Sequence, residues 1–148
     1  MKEFFETLEN IKDEKEAHLR NVLVLAFVGD GLWTAYVRTH LAKNSLENSG
    51  KLNKVANLYV KAESQAVIYD ALASELKESE LDVGRRARNA KLHHTAKNAS
   101  IEDYRTATSF ESVFGYVFMS GDLDRLEELM KKSIDIVENI IIKEKICK

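Results

Sequence analysis

Val22-Leu23-Val24-Leu25-Ala26-Phe27-Val28-Gly29-Asp30-Gly31-Leu32-Trp33 is the stretch on which the reading of the fold turns. Seven consecutive apolar residues lead into an aspartate held between two glycines, and the apolar pattern resumes through Ala35-Tyr36-Val37 to Leu41. A segment from Asn21 to Lys43 that is apolar nearly all round predicts a central, buried helix. Its longest unbroken apolar run is far shorter than the ~20 residues of a membrane span. Asp30 admits two readings. An ionisable group in the middle of an apolar helix is costly unless it is paired, hydrogen-bonded or metal-bound. Alternatively, Gly29-Asp30-Gly31 is a tight turn and Asp30 caps a second helix.

The rest of the chain points to helices as well. Its 148 residues include no proline and six glycines, with 45% apolar and 31% charged residues. Tight turns draw on Gly and Pro, and helices tolerate internal Pro worst, so this composition favours an all-α fold. The segment from Lys2 to Arg20 carries a thin apolar face, Phe4, Phe5, Leu8 and Ile11, and predicts a short, loosely docked helix. Asn44 to Gly50 is a polar connector. Leu52 to Leu76 repeats apolar residues every three or four positions, with a break expected near Lys61-Ala62-Glu63-Ser64. A weaker helix follows from Glu75 to Ala90. Ser100 caps a helix that runs to Met119, and Gly121-Asp122 joins it to a last stripe from Leu123 to Ile141. The expectation is one domain over residues 1–148, a single bundle of six or seven helices.

Several chemistries drop out. Cys147 is the one cysteine, which excludes an intrachain disulfide framework and a Cys-rich zinc site. No Gly-rich phosphate loop and no Ser-His-Asp arrangement is present. His93 and His94 are adjacent, point different ways on any regular element and make poor co-ligands, while His18 and His40 stand apart. Met1 to Glu6 lacks the basic and apolar regions of a signal peptide, so a cytoplasmic protein with no membrane association is expected.

Two features call for function. The first is Glu111, between Phe110 and Ser112-Val113-Phe114-Gly115. On a helix Tyr104, Thr108, Glu111, Gly115 and Phe118 share a face, opposite a core of Phe110, Val113, Phe114 and Val117. Gly115 on the Glu111 face allows close approach of another helix, and Asp30 is flanked by two glycines. Together they form a pair suited to a hard divalent cation such as Mg²⁺, which takes oxygen ligands and keeps waters. The second is the window from Gly84 to Asn98. It holds Arg85, Arg86, Arg88, Lys91 and Lys97 with no acid, in a chain of net charge −2. It reads either as a localised anion contact or as a solvated face.

Ala26-Phe27-Val28-Gly29-Asp30-Gly31-Leu32 resembles the signature helix of the ribonuclease III catalytic domain, Glu-Arg-Leu-Glu-Phe-Leu-Gly-Asp-Ser, whose Asp is a magnesium ligand. Phe110-Glu111-Ser112-Val113-Phe114-Gly115-Tyr116 resembles the second motif of that family, Val-Glu-Ala-Leu-Ile-Gly, whose Glu is a catalytic magnesium ligand. Their order and their separation of about eighty residues also fit. Leu23 and Ala26 stand where the family has glutamates, Thr108 stands where it usually has an Asp, and no double-stranded RNA-binding domain is seen after the second motif. These departures resemble the minimal branch of the family, Mini-ribonuclease III. So do Tyr36-Val37-Arg38, Lys61-Ala62-Glu63-Ser64-Gln65-Ala66, Arg86-Ala87-Arg88-Asn89-Ala90-Lys91 with Lys97-Asn98, and Tyr104-Arg105-Thr106. The resemblance spans residues 11–136.

The resemblance implies a Mg²⁺-dependent endoribonuclease, with Mn²⁺ as a substitute, cutting double-stranded RNA to 5′-phosphate ends. Its implied substrate is the stem that pairs the ends of the large-subunit (23S) ribosomal RNA precursor. Asp30 and Glu111 would be the catalytic metal ligands. Arg85, Arg86, Arg88, Asn89, Lys91 and Lys97 would grip RNA, with Lys61, Ser64 and Gln65 as second-rank contacts. A homodimer is implied, with Phe27 in its interface or, on the plainer reading, in the core. A large-subunit ribosomal protein is a further expected partner. The rival expectation is a ribonuclease III-like domain that has lost catalysis and serves as an RNA-binding or ribosome-associated structural protein.

Overall fold

The computed structural model of the chain describes residues 13–90 and 99–143, together with Lys2, Glu3 and Glu6. Within the described stretches 13–90 and 99–143 the α-helices are α1 Glu14–Leu19, α2 Val22–Asn44, α3 Ser49–Val60, α4 Ala62–Leu72, α5 Glu78–Arg88, α6 Ile101–Met119 and α7 Leu123–Ile136. A short 3₁₀ turn, Ala73–Glu75, follows α4, and α7 widens into a π-helical segment, Val137–Ile142. No strand occurs among the described residues. The all-α expectation holds.

Short polar side chains start most of these helices. Asp13, Asn21, Asn48, Ser100 and Asp122 each accept a hydrogen bond from a backbone N–H in the first turn, at 2.9–3.1 Å. Each satisfies a donor that has no partner inside the helix. The break expected near Lys61 is real: Lys61 is extended and separates α3 from α4. Gly121 adopts φ 79°, a left-handed conformation that suits glycine, and ends α6 before Asp122 starts α7.

The centre of the bundle is α6. It packs against α2, α5 and α4, and every residue from Thr106 to Val117 is buried except Glu111, which is half-buried. The division of this helix into a polar face and a core face therefore does not hold: both faces are covered. Four buried hydroxyls make this tolerable. Thr106 donates to the Glu102 carbonyl at 3.0 Å, Thr108 to that of Tyr104 at 2.9 Å, Ser109 to that of Gly84 at 2.7 Å and Ser112 to that of Ser109 at 2.9 Å. Each polar group is satisfied without water, so burial costs little.

The helix expected to be wholly buried, α2, is central but has an open side. Leu25, Trp33 and Val37 are fully enclosed. Trp33 meets Phe110 and Phe114 edge-on, with ring centroids 5.4 and 6.0 Å apart, and its indole N–H donates to the Tyr59 carbonyl at 3.1 Å. On the other side Val24, Phe27, Asp30, Gly31, Ala35 and Arg38 are exposed. Its 23 residues are long and apolar enough to cross a membrane by length and hydropathy alone. Its contacts with α6, α3, α5 and α7 are those of the core helix of a bundle.

Phe4, Phe5, Leu8 and Ile11, the apolar face expected of the N-terminal segment, lie outside the described residues, and α1, which follows them, is docked on the bundle. Ala17 is buried, Glu14 accepts a hydrogen bond from the Tyr116 hydroxyl, and His18 Nε2 lies 3.0 Å from Asp82. A second unforeseen tie joins α5 to α7. Glu80, 2% exposed, pairs with Arg125 through Nε at 3.1 Å and Nη2 at 2.8 Å, and also accepts from the Lys77 N–H at 2.9 Å. No sequence signal joined these two residues, which lie 45 positions apart.

Candidate active site

Backbone contact between α2 and α6 builds the site. A Cβ at Gly29 would fall 1.7 Å from the Glu111 carbonyl oxygen, and one at Gly115 would fall 1.9 Å from the Leu25 carbonyl oxygen. Each glycine thus lies on the other helix's main chain, at a distance that excludes any side chain. Asp30 follows Gly29 directly, so this packing delivers its carboxyl to Glu111. The helix runs unbroken through Gly29-Asp30-Gly31, which removes the tight-turn reading of Asp30.

The two carboxyls differ in setting. Asp30 is exposed and Glu111 is half-buried. The Glu111 carboxyl is pushed up to about 8, first by burial, then by the neighbouring Asp30 charge. A hydrogen bond with Asp30 acts in the same direction, and one from Gln65 acts against it by favouring the ionised form. With no cation bound, burial and the Asp30 charge both favour the protonated form of Glu111. Two close carboxylates that resist joint ionisation form a site that a cation relieves.

The donor set fits a hard divalent ion. Both groups offer carboxylate oxygen, and Mg²⁺ is commonly held by one or two carboxylates while keeping several waters. Among the described residues no cluster of three or more His, Cys, Asp or Glu side chains forms a fuller cage. Leu23 is half-buried and Ala26 is buried in α2, so apolar side chains fill the positions where the resemblance has acids. Thr108 is buried and its hydroxyl is committed to Tyr104.

The expected RNA contacts separate into three groups. Arg85 is exposed and ion-paired with Asp82. Arg86 and Arg88 are structural ties. Arg86 reaches Asp82 at 3.2 Å and donates to the His18 carbonyl, joining α5 to α1. Arg88 donates to Thr106 at 2.8 Å and to Glu102 at 3.3 Å, joining α5 to α6. Asn89 is exposed at the end of α5, and Lys91 and Lys97 lie outside the described residues, as do His93, His94 and Cys147. Lys61 is half-buried and lies 3.5 Å from Glu63. Gln65 is 2% exposed and Ser64 is 1% exposed, which removes both from any RNA surface. Packing of α4 against α6 encloses them. Phe27 is 82% exposed, so the plain-core reading of that residue fails.

A model of the ribonuclease III domain matches residues 23–122, a span that contains both carboxyls and both glycines. The Mini-ribonuclease 3 of Brevibacillus brevis is 44% identical over 84% of this chain and 92% of its own length. The chain belongs to the Mini-ribonuclease III branch of the ribonuclease III family. The Mini-ribonuclease 3 of Clostridium tetani is 42% identical over 80% of this chain and 79% of that protein, and the enzyme of Streptococcus pneumoniae is 38% identical over 83% and 98%. The crystal structure of a Fusobacterium nucleatum protein shares the fold, with a TM-score of 0.69 and 26% identity over 86% of this chain and 95% of that one. Membership in this family makes the chain an endoribonuclease and places Asp30 and Glu111 within the matched catalytic domain.

Proposed function

We propose that the protein is a Mg²⁺-dependent endoribonuclease that cuts double-stranded RNA, with the stem of the large-subunit ribosomal RNA precursor as its substrate. The observation that carries this reading is the Asp30–Glu111 pair, held together by the reciprocal glycine contact and strained toward protonation until a cation arrives. Asp30 and Glu111 hold the ion. A divalent ion so held lowers the pKa of a bound water and stabilises charge on a phosphodiester in flight. Exposed Asp30 opens the site to the RNA backbone, while half-buried Glu111 fixes the inner edge of the site. Mn²⁺ serves as a substitute ion, and the protein works in the cytoplasm.

Double-stranded RNA is recognised mostly by shape and by its phosphates and 2′-hydroxyls. In this reading the grip falls to exposed polar and basic residues that do not tie one helix to another. Arg85 and Asn89 are exposed at the end of α5, and Lys91 and Lys97 follow in sequence. Arg38 is exposed on the open side of α2, ~12 Å along the helix from Asp30. Lys54 and Arg105 are also exposed. The open apolar side around Val24 and Phe27 is the surface through which two copies pair, one for each strand of the duplex. A large-subunit ribosomal protein presents the precursor to this dimer.

The test is cleavage of a double-stranded precursor stem with mapped ends, with and without Mg²⁺. We expect cuts in both strands that leave 5′-phosphates, and loss of cleavage by at least ~100-fold in Asp30→Asn and in Glu111→Gln with RNA binding retained. Binding without cleavage by the unaltered protein would instead support an RNA-binding domain without catalysis.

A further inference from the structure

α5 is a helix of 11 residues that ends at Arg88 without the glycine that commonly closes a helix. The last carbonyls of a helix have no partner inside it, so a short helix frays at that end unless something outside holds it. Here Arg88 reaches across to the first turns of α6, the next helix among the described residues. Its Nη1 donates to the Thr106 hydroxyl at 2.8 Å and its Nη2 to the Glu102 carboxylate at 3.3 Å. Thr106 is 3% exposed and donates its own proton to the Glu102 carbonyl at 3.0 Å, which holds the hydroxyl in place under Arg88. One turn earlier, Ser109 of α6 donates to the Gly84 carbonyl at 2.7 Å.

Two fasteners four residues apart, at Gly84 and Arg88, fix the rotation of the end of α5 about its axis. Val83, Gly84 and Ala87 then face inward, while Arg85 and Asn89, themselves four apart, share the exposed face. We propose that Arg88 is a positioning residue for RNA binding. It locks the last turn of α5 onto α6 so that Arg85 and Asn89 are presented together, and it makes no phosphate contact of its own. This rests on the reading of those two residues as RNA contacts given above. Without the fork the turn rotates and frays, and binding has to order it again, which lowers affinity without changing the number of phosphates met.

The test measures binding of a duplex RNA in a chelating buffer, over a range of salt, to Arg88→Lys, Thr106→Val, the two combined, and Arg85→Ala. Lysine keeps the charge, but its single nitrogen does not reproduce the planar fork. Thr106 is too deeply buried to touch RNA, so a loss there acts through Arg88. Each of these two variants is expected to bind about tenfold more weakly, roughly the worth of one charge-assisted hydrogen bond. The combined variant is expected to be no weaker than Arg88→Lys alone, because both remove the same tie. Thr106→Ser, which keeps the hydroxyl, retains affinity. The slope of log affinity against log salt stays at its unaltered value in all of these, whereas Arg85→Ala, which loses a phosphate contact, flattens it by about 0.7–0.9. In cleavage assays with Mg²⁺, KM rises about tenfold in Arg88→Lys and kcat stays within about twofold. Full affinity in Arg88→Lys overturns the proposal, since charge alone would then suffice and Arg88 would be a phosphate contact. Full affinity in a folded Thr106→Val also overturns it, and should that variant fail to fold by circular dichroism, Arg88→Lys decides alone. Failure of the parent reading looks different: Arg85→Ala and Asn89→Ala would then bind RNA as the unaltered protein does, and nothing would be left for Arg88 to position.

Discussion

Glu111 carries a cost that the proposed metal-binding role would explain. Its carboxyl is pushed up to about 8 by burial and by Asp30, whereas an unfolded chain ionises it near 4.5. The folded state therefore holds a proton that the unfolded state releases between about pH 4.5 and 8. Stability linked to this group is intact below about 4.5 and is lost as pH rises through 8. Glu111→Gln keeps the shape and removes the titration. In a chelating buffer we expect equal melting temperatures for the two proteins at pH 4.5. At pH 8.5 the variant should melt ~2–6 °C higher, a range that corresponds to roughly 1–2 kcal/mol for a chain of this size. Excess Mg²⁺ should close that gap by stabilising only the unaltered protein. Thermal melts at both pH values, with and without the ion, check all three statements, and equal melts at pH 8.5 would mean that Glu111 is not strained.

Among the elements, the α2–α6 contact decides whether the residues can meet at all. Gly29 and Gly115 lie against opposing main-chain carbonyls, which cannot swing aside as a side chain would. Gly29→Ala must push the helices apart, and we expect a loss of at least ~3 kcal/mol, the upper part of the usual overpacking range. Gly31, one residue beyond Asp30, has nothing within 4 Å of its would-be Cβ. Gly31→Ala in the same helix should stabilise by ~0.5–1 kcal/mol, because alanine is the better helix residue. Urea unfolding of the two variants makes the comparison. Equal effects would show that the helices do not touch as described. The Glu80–Arg125 pair is a different kind of contact. It ties α5 to α7 with both partners largely out of water, and its value lies in fixing how α5 sits on the bundle.

For the molecule as a whole, the open side of α2 is the apolar surface left uncovered. Val24 is 46% and Phe27 is 82% exposed on a helix that is otherwise the heart of the bundle. Full burial of one such aromatic contributes about 1.5–3 kcal/mol, and a two-fold interface counts it twice. The protein is expected to sediment as a dimer at micromolar concentration. Phe27→Asp should convert it to a monomer of 16.8 kDa with little change in its far-ultraviolet spectrum. A monomeric unaltered protein would remove the paired cut from the proposed mechanism. The distribution of cations also works at this scale. Arg86 and Arg88 are consumed in holding α5 to α1 and α6, so the basic window is partly structural. Arg85 is exposed and pairs within its own helix, with Asp82.

Much of this was legible in local pattern. Helix number, the break at Lys61, the Ser100 cap and the joint at Gly121-Asp122 follow from periodicity, capping and backbone preference, which are properties of neighbours in the chain. Glu111 was visible because charge among apolar residues is costly and calls for a partner; the same argument picked out Asp30, whose carboxyl the structure instead leaves exposed. Burial was not legible in the same way. The helix with the stronger apolar run, α2, keeps an open side, while α6, rich in Thr and Ser, is enclosed because its hydroxyls bond to its own carbonyls and to Gly84. Hydropathy counts those hydroxyls as exposed, and hydrogen bonding reverses the count. Gln65, the two structural arginines and the Glu80–Arg125 tie were set by tertiary structure alone. Whether an amide or a guanidinium faces water, substrate or another side chain depends on what the fold brings within 3 Å of it, and sequence spacing carries no such distance.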